Sequence, residues 1–203
     1  VYDQLTTLHY ANAFFFATIP AIKLAEQVAA ISPGDLNRVF FTSGGSEAVE
    51  TALKMARQYH VNLGEPQRTR FISRYGSYHG VSLGALNVNM APWVKRDVFV
   101  PVMGDVVSVA PQPIPYRCPM GGSSPSDCAI RCAQAIEDLI VDGGPETVAA
   151  VIAEPISHST TAAIPGDEYW PLLRQICNRH GVILIADEII CGFGRTGKMF
   201  AME

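Results

Sequence analysis

Two stretches of the chain are apolar along nearly their whole length, and they constrain the fold more than any other feature. One is Val148–Ala153; the other runs from Val182 to Ala186 and ends in the carboxylate of Asp187. Each follows a segment whose apolar residues recur at helical spacing. Strands without a polar face must be covered on both sides, as in parallel sheets that lie between layers of helices. The pattern predicts an α/β fold with a mostly parallel sheet and helices on both faces.

The rest of the chain adds further elements to this pattern. Strands are also predicted at Arg38–Thr42 and Arg70–Ser73, and the proline- and glycine-rich residues 90–126 are predicted to form a long irregular connection. The predicted helices cover approximately residues 20–31, 46–59, 126–141 and 167–180, the last one capped by Asp167 and ended at Gly181.

Composition excludes several classes of function. Hydrophobic residues make up 48% of the 203 residues and charged residues 17%, which is typical of a folded globular chain. The formal net charge of −4 gives no reason to expect a nucleic-acid partner. No apolar run approaches the roughly 20 residues of a membrane helix, so we expect no membrane partner and a cytoplasmic location. We expect residues 1–203 to form one domain, cut at both ends, because the chain starts without Met and stops without a helix cap or a polar tail.

The five cysteines predict neither disulfides nor a metal site. Cys128 and Cys132 stand four apart on a predicted helix, but no second pair of Cys or His residues follows at the spacing of a zinc site. We therefore expect no metal, and thiols that are reduced and partly buried.

Three features fall where predicted strands end, which is where ligands bind in parallel α/β sheets. They are the turn Ser43–Ser46, Glu154 and Asp187. The turn has two glycines and precedes a helix, so its free amides suit a phosphate. The same residues also fit an ordinary glycine turn in which Ser43 caps the helix.

Asp187 and Tyr78 each allow two interpretations. A carboxylate at the end of an apolar strand needs a cationic partner, which is either a residue such as Arg195 or a protonated ring nitrogen of a cofactor. Tyr78 follows a strand between two glycines and either stacks on a planar ligand or packs in the core.

A different class of enzyme also fits part of the pattern. Gly44–Ala48 is similar to a loosened nucleophile elbow with Ser46 as the nucleophile of a serine hydrolase. That fold places its histidine after the acidic residue, and no His follows Asp187 in this sequence. A non-catalytic remnant of a cofactor-binding fold remains a third possibility.

Four blocks of the sequence resemble class III aminotransferases, which have the type I fold of pyridoxal-phosphate-dependent transferases. The blocks are Phe40–Ala48, Tyr78–Gly80, Ala153–Pro155 and, most specific, Ala186–Gly197. The resemblance implies that the chain is the truncated cofactor-binding large domain, without the N-terminal segment and the C-terminal small domain. It also implies pyridoxal 5'-phosphate as the cofactor, an amine or amino acid and a keto acid as substrates, and a homodimer in the full-length form.

The resemblance also implies roles for individual residues. Gly45 and Ser46 hold the cofactor phosphate, Tyr78 stacks on one face of the ring and Ile189 packs on the other. Asp187 pairs with the ring nitrogen, Glu154 lies near substrate and cofactor, and the role of the neighbouring His79 stays open. By resemblance, the catalytic residues are Asp187 and Glu154, and Arg195 is a structural ion-pairing residue.

Departures from the family pattern refine these expectations. Ile190 replaces a glutamine of many members, as in the subgroup that transfers amino groups from amines or ω-amino acids to pyruvate. Ser157–Ala163 replaces a more glycine-rich stretch, which affects the substrate-side contact. The family's Schiff-base lysine lies beyond residue 203, and none of Lys23, Lys54, Lys95 and Lys198 matches its position. We therefore expect this chain alone to be inactive.

Overall fold

The computed structural model describes residues 1–12, 14–160 and 162–203, which form two compact units. The first unit is Val1–Phe41 together with Glu203, and the second is Thr42–Met202. The expectation of a single domain over residues 1–203 stays a prediction. Thr161, within the Ser157–Ala163 departure, lies outside the described residues.

The first unit contains two helices. Helix α1 is Tyr2–Thr7 and helix α2 is Ile19–Ile31, which confirms the predicted helix at residues 20–31. The Thr18 side chain accepts a hydrogen bond from the Ala21 amide and so caps α2.

The predicted strand at Arg38–Thr42 is wrong. This segment has no regular secondary structure, and Phe40 is 71% exposed. A strand needs a neighbour for its backbone hydrogen bonds, and none of the strands in the described residues pairs with this segment.

A four-stranded parallel sheet is the centre of the second unit. The strands are β1 (Arg70–Arg74), β2 (Val107–Ala110), β3 (Val148–Ala153) and β4 (Ile183–Ala186). Their order is β2-β1-β3-β4 and every pairing is parallel, as predicted. Strand β2 was missed because its four residues lie within the proline-rich connection, and only its pairing with β1 defines it.

Helices cover both faces of this sheet, as the apolar strands predicted. They are α3 (Gly45–Asn62), α4 (Leu83–Val88), α5 (Val100–Met103), α6 (Pro125–Asp142) and α7 (Tyr169–His180). Neighbouring residues of β3 enter different cores: Val151 packs with residues of α6 and α7, and Ile152 packs with residues of α3 and α4. The alternation of side chains along a strand explains why β3 has no polar face.

The predicted cap of α7 is wrong, although the end of that helix is as expected. Glu168, not Asp167, is the residue before the helix, and it makes no side-chain cap bond. Its carboxylate instead accepts a hydrogen bond from the Ser126 hydroxyl at 2.7 Å. Gly181 ends α7 in the left-handed conformation with φ of 64°, which favours glycine.

Across the described ranges, we find no helix that combines the length and apolar character needed to cross a membrane.

Candidate active site at the carboxyl edge of the sheet

A pocket of about 250 Å³ lies where the strands of the second unit end. Glu154 directly follows β3, Asp187 directly follows β4, and Tyr78 and His79 follow β1 by a few residues. The structure thus places every predicted site residue on one pocket: Gly45, Ser46, Tyr78, His79, Glu154, Asp187 and Ile189.

The turn before α3 leaves its amides free. Within the described residues, the backbone amides of Gly45, Ser46 and Glu47 donate no hydrogen bond, and the first internal bond of the helix comes from Ala48. The N-cap position of the helix is occupied by Gly44, which has no side chain to cap it. The interpretation of Ser43 as the cap is therefore wrong. Free amides with the positive end of the helix dipole behind them form an anion site.

Two glycines allow close packing around this helix start. A Cβ on Gly45 would lie 3.1 Å from Ile189 Cδ1, so the absent side chain lets Ile189 approach the turn. Gly80 has a φ of 119°, and a Cβ there would lie 3.0 Å from Ser46 Cα. Gly80 is a site residue that the sequence reasoning missed. Its place in the Tyr78–Gly80 block was the available signal.

Asp187 is buried, and its side-chain partner is His79 rather than Arg195. His79 Nδ1 lies 2.7 Å from Asp187 Oδ2, with the side chains 0% and 4% exposed. The Ile189 amide donates to the other oxygen, Oδ1, at 3.1 Å. Because an ionised carboxylate only accepts hydrogen bonds, Nδ1 carries the hydrogen. The two donors fix the orientation of the carboxylate at the pocket wall.

Glu154 is held by a buried arginine that the sequence reasoning did not single out. An Arg74 terminal nitrogen lies 3.2 Å from Glu154 Oε2 and also donates to the Glu154 carbonyl. The Tyr78 amide donates to Oε1 at 3.0 Å. Burial would lower the pKa of Arg74, but its neighbours Tyr169 and Glu154 hold that pKa above its ordinary value, so the guanidinium is charged. A charged residue at the end of β1 was the signal that could have identified it.

His79 links the two carboxylates. Its second ring nitrogen, Nε2, lies 3.9 Å from Glu154 Oε2 and has no hydrogen-bond partner within the described residues. The imidazole is therefore fixed by Asp187 on one side and faces Glu154 on the other. This arrangement couples the positions of the two predicted catalytic carboxylates.

The walls of the pocket differ in character. The Tyr78 ring stacks on Trp93, with ring centroids 5.3 Å apart and planes at 15°, so one face of the tyrosine is covered by a residue that the sequence reasoning missed. Ile189 and Ile190 supply an apolar wall. His158 and Ser159 also line the pocket and lie within the departure at Ser157–Ala163.

The geometry does not support Ser46 as a hydrolase nucleophile. Its Oγ accepts a hydrogen bond from the Val81 amide at 3.1 Å, and within the described residues it donates none to a general base, as an activated serine would. No hydrogen bond joins Ser46 to His79 among the residues that the structure describes. Ser46 also lies in the first turn of a regular helix and not on a strained elbow.

Comparisons with known proteins agree with the parallel α/β fold. A family model described as "Aminotransferase class-III" matches residues 1–203 of the chain. The chain is 44% identical over 200 residues to "Probable aminotransferase Rv3329" of Mycobacterium tuberculosis, covering 98% of this chain and 42% of that protein. It is 36% identical to the "Omega-amino acid--pyruvate aminotransferase" of Pseudomonas putida, covering 100% of this chain and 45% of that protein.

Solved structures show the same likeness. An (S)-enantioselective omega-transaminase from Thermomicrobium roseum superimposes with a TM-score of 0.89 at 35% identity, covering 99% of this chain and 44% of that chain. The omega transaminase of Pseudomonas jessenii in complex with PMP gives a TM-score of 0.91, covering 98% of this chain and 44% of that chain. The chain belongs to the class III aminotransferase family. It spans less than half the length of these relatives.

Proposed function

We propose that the full-length protein transfers an amino group from an amine or ω-amino acid to a keto acid such as pyruvate, with pyridoxal 5'-phosphate held in this pocket. The observation that carries the proposal is one pocket with free amides at the start of α3 and the fixed carboxylate of Asp187. Family membership supports the cofactor, and the printed names of relatives such as the Pseudomonas putida enzyme support the substrate class.

The residues present fit the cofactor at each of its ends. The unpaired amides of Gly45 and Ser46 would bind the phosphate, because the two residues line the pocket at the N-terminus of α3. Asp187 would pair with the ring nitrogen. A charged hydrogen bond from that nitrogen would add to the two donors that the carboxylate already has.

Bound pyridoxal phosphate supplies an electron-accepting ring, which stabilises negative charge at the substrate carbon next to the nitrogen. Asp187 would keep the ring nitrogen protonated, and a low-dielectric site makes this charge interaction stronger than in water. His79 holds Asp187 in place and so acts as a positioning residue. The exposed face of Tyr78 and the side chain of Ile189 would exclude water from the two ring faces.

Glu154 would act on the substrate side of the pocket. It lines the pocket between Tyr78 and the His158–Ser159 segment, and Arg74 together with the Tyr78 amide fixes its carboxylate. A carboxylate held in this way can orient the substrate or hold a proton near the reacting carbon. The apolar Ile190 at the pocket wall supports a donor whose reacting end lacks a carboxylate.

We also propose that the full-length protein is a cytoplasmic homodimer. Phe14, Phe15 and Phe16 are 92%, 82% and 67% exposed, and an apolar cluster of this kind supports a subunit interface. The five cysteines are all free, which supports a reducing compartment.

The experiment that tests the proposal compares Asp187→Asn with the unmodified full-length protein. The variant keeps the shape of the side chain but loses its charge, so we expect kcat with an ω-amino acid and pyruvate to fall by at least about a hundredfold. Asp167→Asn is the matched control, because Asp167 is exposed and does not line the pocket. We expect that variant to keep normal turnover.

Three results would contradict the proposal. Near-normal turnover of Asp187→Asn would remove the role of the carboxylate. Activity with α-amino acids alone would refute the donor class. No change in the absorbance of pyridoxal phosphate on addition of the full-length protein would favour a non-catalytic remnant.

A further inference from the structure

Three of the five cysteines form a cluster that the amino-acid spacing did not predict. The sulfur atoms of Cys118, Cys128 and Cys132 all lie within 4.8 Å of one another. Cys128 and Cys132 are one turn apart on α6 and fully buried, and Cys118 is half-buried on the connection that precedes the helix. None of the three lines the pocket described above.

We propose that Cys118, Cys128 and Cys132 form a binding site for a thiophilic d¹⁰ cation such as Zn²⁺, which ties the irregular connection before α6 to that helix. Three protein thiolates would coordinate the ion, and a water molecule would complete the tetrahedron. Cys118 faces solvent in part and gives the ion and this water a path of entry. The proposal is independent of the function proposed for the pocket.

The distances suit a metal ion. With Zn–S bonds of about 2.3 Å, the sulfurs of a tetrahedral site lie about 3.8 Å apart. The cluster therefore needs a contraction of at most about 1 Å, which rotation of cysteine side chains can supply. Thiolates are also the ligands that soft cations such as Zn²⁺ and Cu⁺ prefer.

The turn at Cys118 is built to present a sulfur. The Gly121 amide donates to the Cys118 carbonyl at 3.1 Å and closes the turn, with Gly121 at a φ of 68°. Gly122 lies directly against α6, since a Cβ there would be 2.6 Å from the Cys128 amide nitrogen. Only glycine allows this approach, which brings the turn within reach of the two helix thiols.

Two of the three thiols are protonated before an ion binds. Burial raises the pKa of the Cys128 thiol to about 11 and also raises the pKa of the Cys132 thiol. A bound ion must therefore displace these protons, as in other thiolate sites.

Ion binding replaces protons and involves no change of oxidation state. The three sulfurs coordinate as thiolates, so each thiol that is still protonated releases its proton to solvent when the metal–sulfur bond forms. The product carries one net negative charge for a divalent ion.

Titration of the full-length protein with Cd²⁺ tests the site, because cadmium bound to thiolates absorbs in the ultraviolet by charge transfer. After treatment with a reductant and a chelator, we expect a band that saturates at one Cd²⁺ per chain and disappears when Zn²⁺ displaces it. We also expect Zn²⁺ to raise the melting temperature, because the ion binds the folded state.

Cys118→Ser should abolish both effects, since it removes a ligand from a half-buried turn that can accommodate a hydroxyl. Cys191→Ser is the matched control, because Cys191 is buried but not a member of the cluster. That variant should keep the wild-type band. If Cys118→Ser fails to fold, the intensity of the charge-transfer band per cadmium in the unmodified protein tests the proposal, because this intensity scales with the number of bound thiolates. Absence of the band, an intensity that fits one thiolate, or wild-type affinity in Cys118→Ser would overturn the proposal.

Discussion

Replacing Arg74 with methionine tests how the candidate site is held together. The guanidinium is fully buried, contacts Glu154 by an ion pair at 3.2 Å and lies 5.6 Å from the centre of the Tyr169 ring. Methionine keeps much of the apolar volume but removes the charge. The Glu154 side chain, only 9% exposed, would then be a buried carboxylate without its cation.

The expected loss of stability follows from this burial. Removing one partner of a buried ion pair costs about 3–5 kcal/mol. Glu154 keeps the hydrogen bonds from the Tyr78 amide and the Ser157 hydroxyl, so we expect the lower end, about 3 kcal/mol. For a domain of about 200 residues that unfolds as a unit, such a loss corresponds to a fall in melting temperature of about 6–12 °C, and the fall is smaller in a longer protein that unfolds in one step.

The double variant Arg74→Met/Glu154→Gln separates the charge from the packing. Glutamine keeps the shape of Glu154 but needs no cation, so we expect the double variant to be more stable than Arg74→Met alone. The assay is thermal unfolding of the cofactor-free full-length protein, followed by circular dichroism. A free energy of unfolding for Arg74→Met within about 1 kcal/mol of the unmodified protein would refute the reasoning. A double variant less stable than the single variant would refute it as well.

Two further predictions concern a helix contact and the pocket wall. Glu137 accepts hydrogen bonds from His180 at 2.9 Å and from Arg179; the bond to His180 is the largest cause of its lowered pKa. A carboxylate whose pKa is lower in the folded state than in the unfolded state stabilises the fold above the unfolded value of 4.5. This stabilisation is lost as the pH falls through the folded-state pKa. Glu137→Gln should therefore lose about 0.5–1 kcal/mol at pH 7 and progressively less as the pH falls below 4.5 in urea unfolding, whereas an equal loss at every pH would contradict the assignment. Gly45→Ala should keep or raise the melting temperature, since alanine favours the helix, yet weaken pyridoxal phosphate binding about tenfold by pushing Ile189 into the pocket. Cofactor titration should show partial recovery in Gly45→Ala/Ile189→Val, and no recovery would mean that the alanine acts in another way.

The sequence predicted those parts of the fold whose signal is local. Val148–Ala153 is apolar at every residue, and this alone requires helices on both faces of a parallel sheet, which the structure has. The helix at 126–141 and the glycine after His180 were also predictable, because helical periodicity and a left-handed residue are properties of a short segment.

Short or weakly patterned elements were not predictable in this way. Strand β2 has only four residues, and its hydrogen bonds go to β1, more than thirty residues earlier in the chain. Arg38–Thr42 has the apolar composition of a strand but no neighbour in the described residues. In both cases the presence or absence of a pairing strand distant in sequence decides whether the segment forms a strand, since a strand is defined by its pairing.

The sequence by itself determined which groups could stand at the carboxyl edge of the sheet, because parallel strands all end there. Only the tertiary structure decided the partners of those groups. Asp187 pairs with His79, which is 108 residues away, although Arg195 is nearer in sequence. The sulfur of Cys118 meets two thiols of α6 although their spacing fits no familiar metal motif. A buried charge or thiol takes the partner that folding brings within a few ångströms, and that distance depends on how loops and helices pack rather than on sequence separation.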